Sequence, residues 1–77
     1  MKTMKIDVIS QNYIGTLEIE VNKEDFSLFS VYTKNHLLGH AHPIRANNVI
    51  RWYSPEISDK ELLEQIGEWI EYLYLLN

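Results

Sequence analysis

The chain contains no cysteine, which excludes disulfide staples and thiolate metal sites. Glycine is scarce: Gly15, Gly39 and Gly67 stand far apart, so there is no glycine-rich loop to cradle a phosphate. There is no HExxH spacing and no nucleophile elbow. No apolar run approaches the ~20 residues that span a bilayer. The opening segment, Met1 to Asp7, lacks the apolar stretch of a signal peptide. A cytoplasmic protein with no membrane contact is the expectation. Cations are also in short supply, seven Lys and Arg against eleven Asp and Glu, for a net charge of −4. Such a field disfavours nonspecific binding to nucleic acid.

What is present is a generous apolar share, 45% of 77 residues, with 12% aromatics. That argues against disorder, because large apolar groups offset chain entropy. The length predicts one small domain over residues 1–77 with a modest core.

The last third carries the clearest pattern. Ser58 to Leu76 reads as one amphipathic helix, opened by Ser58-Asp59-Lys60-Glu61 as a capping box. At 100° per residue, Leu62, Ile66, Trp69, Ile70, Leu73 and Leu76 share a face, and Glu61, Glu64, Glu68 and Glu71 lie opposite. Trp69 and Ile66 are expected to pack on Leu17 and Ile19. Residues 56–77 hold six acids and one lysine, net −5; residues 1–55 hold five acids and six bases, net +1. The negative excess is therefore confined to the helical segment.

Residues 1–55 read mostly as strands. Met4, Ile6 and Val8 alternate with Lys5 and Asp7; Leu17, Ile19 and Val21 alternate with Thr16, Glu18 and Glu20. A two-residue turn at Gln11-Asn12 sets Ile6 against Leu17, Met4 against Ile19 and Lys5 against Glu18. A polar turn at residues 22–25 pairs Val21 with Phe26 and Ile19 with Leu28. A turn at Lys34-Asn35 then pairs Tyr32 with Leu37, Ser30 with Gly39 and Leu28 with Ala41. The small residues at Ser30 and Gly39 admit a close helix. A helix over residues 24–38 is the rival reading, disfavoured by Ser, Val, Thr and Tyr in its middle. Pro43 is read as the end of the fourth strand, with Asn47-Asn48 as a turn and Val49–Tyr53 as the further option of a fifth strand. The expected fold class is thus α+β: a four-stranded antiparallel meander, five with Val49–Tyr53, and one C-terminal helix across a face.

Three constellations bear on function. His36, His40 and His42 form the one metal-like cluster, but alternate strand residues project in parallel and do not converge on an ion. No carboxylate stands beside them in sequence to support acid–base work. No metal, cofactor or catalytic residue is expected, and a His-based metal enzyme ranks third among the readings.

The stripe Glu61, Glu64, Glu68 and Glu71 is the second. It lacks compensating cations at i+4, and Glu64–Glu68 is itself mildly repulsive. It reads as a docking face for a basic partner protein, including one that normally binds nucleic acid. The third is an apolar excess at Ile9, Ile14, Phe29, Val31 and Leu38 on the sheet face away from the helix, with Tyr72, Tyr74 and Leu75 outside the core arc of the helix. That patch is expected to be covered by a partner or by a second copy in a homodimer.

The sequence therefore suggests a non-enzymatic protein-binding module, a regulator or inhibitor of the kind common among phage and mobile-element products. That last association rests on size and charge alone. The alternative is a nucleic-acid-associated module using the Arg45–Tyr53 segment, where Arg45, Arg51, Trp52 and Tyr53 interleave base and aromatic.

Overall fold

The computed structural model describes residues 3–21, 28–34 and 36–75, with side chains as far as Leu73. The expected turn at residues 22–25, the pairing of Phe26, the turn residue Asn35 and the face of Leu76 lie outside the described residues.

Five strands form one antiparallel curled sheet in the order β1 to β5, followed by a C-terminal helix. The strands are β1 (Thr3–Ile9), β2 (Ile14–Val21), β3 (Phe29–Thr33), β4 (His36–Ala46) and β5 (Val49–Tyr53). Helix α1 (Lys60–Ile70) continues as a π-helical turn over Glu71–Leu75. Residues 29–33 are a strand and not part of a helix.

The first hairpin has the register its alternation dictates: Ile6 faces Leu17, Met4 faces Ile19 and Lys5 faces Glu18. Ser10 closes it, its N–H donating to the Tyr13 carbonyl at 2.8 Å. The next pairing departs from expectation. Val21 pairs with Phe29 and Ile19 with Val31, a shift of three residues. An odd shift turns a strand over. Phe29 and Val31, expected on an exposed face, are instead 1% and 0% exposed in the core.

Tyr32 does face Leu37, but a bulge follows, so Ser30 faces His40, Val31 faces Gly39 and Phe29 faces Ala41. Leu38 is the additional residue of that bulge, half-buried and packed on the core rather than exposed. Gly39 makes room not for the helix but for the connector after β5. A Cβ there would stand 2.7 Å from Glu56 Cβ and 3.2 Å from Ile57 Cγ1.

Pro43 does not end β4, which runs on to Ala46 and pairs with the fifth strand, Pro43 opposite Trp52. Proline is tolerated because it occupies a wide, non-hydrogen-bonded pair, where its missing N–H would point away from β5. Asn47 and Asn48 connect the two strands with φ of 51° and 66°. Two left-handed residues make a two-residue turn whose twist suits a hairpin, and asparagine tolerates both.

The core joins Ile6, Val8, Leu17, Ile19, Val21, Phe29, Val31 and Ala41 of the sheet to Ile57 and to Leu62, Leu63, Ile66 and Ile70 of the helical end. Ile66 is fully buried, as expected. Trp69 is not: it is 37% exposed, and its indole N–H donates to the Asp7 carbonyl at 3.0 Å.

The helix begins one residue later than the expected capping box. Asp59, not Ser58, is the N-cap, its Oδ1 accepting from the Leu62 N–H at 3.2 Å. Its Oδ2 accepts from Ser10 Oγ at 3.1 Å and Asn12 Nδ2 at 3.2 Å, tying the first hairpin to the helix start. The Leu62 amide, followed by the Asn12 and Ser10 side chains, holds the Asp59 carboxyl below its ordinary value of 3.8. A lowered carboxyl stabilises the fold above that ordinary value, and the contribution is lost as pH falls through the folded one.

Candidate functional site

The helix lies along the open side of the curled sheet, in contact with both edge strands, β1 and β5. Its two flanks treat those edges differently.

On the β1 flank the end of the edge next to the first turn is covered. Since Ser10 and Tyr13 form a bonded pair, Asp7 and Ile9 turn their backbone groups outward. The row Glu61, Gln65 and Trp69 meets that edge. Gln11 N–H donates to Glu61 Oε1 at 3.1 Å and Ile9 N–H to Gln65 Oε1 at 2.8 Å, while Gln65 Nε2 donates back to the Ile9 carbonyl. Trp69 completes the row at Asp7. The match is geometric. Four helical residues advance about 6.0 Å and two strand residues about 6.6 Å, so i, i+4, i+8 keeps step with alternate strand positions. An open strand edge invites pairing with another chain, and this side-chain row covers its Asp7–Ile9 end.

On the β5 flank the helix makes one close approach. Trp52 packs edge-on to Phe29, with ring centroids 5.7 Å apart, and its indole N–H donates to Glu71 Oε2 at 2.9 Å. Gly67 faces the same ring; a Cβ there would lie 2.5 Å from Trp52 Cγ and closer still to Cδ1. Beside this contact runs a groove of about 370 Å³, lined by Ile50, Arg51 and Trp52 on β5 and by Glu64, Glu68 and Glu71 on the helical end.

The four glutamates of the stripe are thus not equivalent. Glu61 is exposed but accepts from Gln11, and Glu71 is half-buried and holds Trp52. Glu64 and Glu68 are exposed on the groove wall, and among the described residues neither meets a cation within ion-pair distance. Phe29, Val31 and Leu38 belong to no surface patch. Of the expected apolar excess, Ile9, Ile14 and Tyr72 are exposed, and so are Leu37, Ile44, Val49 and Tyr53 on β4 and β5 and Trp69 on the helix; the side chains of Tyr74 and Leu75 lie outside the described ones.

The Arg45–Tyr53 segment does not assemble a basic-aromatic surface. Arg45 pairs with Ile50 and Arg51 with Ile44, so the two guanidinium stems leave opposite faces of the hairpin. The Trp52 ring is engaged with Phe29 and Glu71.

The bulge also separates His36 from His40 and His42. Among the described residues no group of three or more His, Cys, Asp or Glu is placed to hold a metal. The fold gives His40 a carboxylate neighbour from a distant part of the chain: Glu56 Oε1 accepts its backbone N–H at 3.0 Å, and Glu56 Oε2 lies 3.7 Å from His40 Nδ1. That amide, ahead of the imidazole, holds the Glu56 carboxyl below its ordinary value. The contact fastens the connector after β5 onto β4. Sixteen residues separate the partners, so no local spacing announces it.

Gln65 is the residue that sequence patterning passes over. Its one signal is its place four residues after Glu61 and four before Trp69. Among the described residues, no helix is long and apolar enough to cross a membrane. No protein-family model, curated protein or solved structure matches this chain.

Proposed function

We propose that the protein is a non-enzymatic binding module, a regulator or inhibitor of another protein, that docks a basic partner through Glu64 and Glu68. The observation that carries this reading is the division within the stripe. Two of its carboxylates are used inside the molecule, while two stay exposed, uncompensated and four residues apart on a groove wall. Repulsion at i,i+4 costs a few tenths of a kcal/mol in an isolated helix, and among the described residues no ion pair offsets it. Complementary charge chiefly accelerates encounter and selects partners.

The test is charge reversal at these two positions alone, since Glu71 supports the core through Trp52. Glu64→Lys/Glu68→Lys is expected to fold as the parent does. Immobilised parent protein is expected to retain a basic protein from a lysate of its source cells, and the variant to lose it. The loss should fall mainly in association rate, and added salt should weaken the parent complex. The same proteins retained by both forms would move the interface away from the helix.

A further inference from the structure

The groove lies along a strand edge to which no further strand is added among the described residues. Asn47-Asn48 is a two-residue turn, so Ala46 and Val49 form its bonded pair, followed by Ile44 with Arg51 and His42 with Tyr53. Ile50 and Trp52 fall on the alternate positions. Their backbone N–H and C=O groups point away from β4, into the side where the groove runs. Among the described residues they receive no side-chain partner, whereas the corresponding groups of β1 are met by Gln65 and Trp69.

We infer that the groove takes an extended basic segment of the partner, added as a sixth strand on β5. This rests on the docking reading above and specifies its mode. Strand addition supplies affinity through main-chain hydrogen bonds and specificity through alternate side chains. Glu64 and Glu68 stand about 6.0 Å apart along the helix, and alternate residues of an extended chain about 6.6 Å apart. This is the commensurability by which the other flank already tracks β1. The segment that fits carries lysine or arginine at every second position, facing the helix. The groove's own Arg51 leaves its three carboxylates in excess.

The probe is a labelled heptapeptide of alternating lysine and valine, read by fluorescence anisotropy. It is expected to bind saturably. Glu64→Lys/Glu68→Lys should weaken it at least about tenfold. Two further peptides carry N-methyl groups on alternate amides, one form on the lysines and the other on the valines. Only one set of amides can face β5, so one form should lose at least about tenfold and the other should bind as the parent does, at two lost hydrogen bonds.

On the protein side, Ile50→Pro removes one outward donor without touching the β4 ladder and should weaken the unmodified peptide, by less than the weaker methylated form loses. If both methylated forms bind like the parent, strand addition fails while charge docking stands. If charge reversal changes nothing, the docking reading itself fails. No binding by any of the three peptides overturns the inference. So does a peptide-free dimer that Ile50→Pro dissociates, which would give the edge to a second copy.

Discussion

Phe29→Ala is expected to remove a large share of the protein's stability. The ring is 1% exposed, sits among Val21, Val31 and Ala41, and supports Trp52 edge-on. Truncating a buried phenylalanine costs about 3–5 kcal/mol. A chain of 77 residues has roughly 4–12 kcal/mol in total at 0.05–0.15 kcal/mol per residue. Urea unfolding should therefore show a loss of roughly a quarter of the stability at the least, and nearly all of it at the low end of that range. On an outward face the same change would stay within about 0.5 kcal/mol. A midpoint close to the parent's would restore the register in which Phe29 faces solvent.

Gly67→Ala is expected to destabilise, against helix propensity. In an ordinary helix interior this change gains about 0.8–1.0 kcal/mol. Here the new methyl would overlap the Trp52 ring. The ring has little room to yield, because its N–H is held by Glu71 and its flank by Phe29. Forcing extra volume into a packed site costs about 1–3 kcal/mol, so the net expectation is a loss of up to about 2 kcal/mol. Thermal melts check the sign. Trp52→Leu in the same chain should convert part of the loss back, since the two residues share one contact. A stabilised Gly67→Ala protein would mean that the helix stands farther from β5.

These two residues also mark where sequence reasoning holds and where it ends. The first hairpin was readable because alternation on both strands and a short turn agree on one register. The second was not. Loop length alone decides whether Val21 meets Phe26 or Phe29, and a three-residue difference moves Phe29 and Val31 from one face to the other. The bulge at Leu38 has no composition signal, and it also separates His36 from His40.

In the helix, Leu62, Ile66 and Ile70 were legible from period alone. Trp69 was misplaced because a single apolar arc assumes one flat surface beneath the helix. This helix lies between two strand edges, and its β1 flank bonds to backbone. Trp69, an amphipathic ring, sits at that boundary. The acidic stripe was legible as composition. Its division into two engaged and two open carboxylates depends on Gln11 and Trp52, which only the fold brings near.

Where they face the helix the two edges differ: Asp7 and Ile9 of β1 are met by helix side chains, and Ile50 and Trp52 of β5, among the described residues, are not. Residue-resolved amide hydrogen exchange on the free protein tests this difference most directly. The Ile9 amide, bonded to Gln65 across 56 residues, is expected to be protected, and Gln65→Ala should release it. The Ile50 and Trp52 amides should exchange rapidly, while those of Val49 and Arg51 beside them stay slow. Protection at Ile50 and Trp52 equal to that at Ile9 would show both edges covered where they face the helix, contradicting the account.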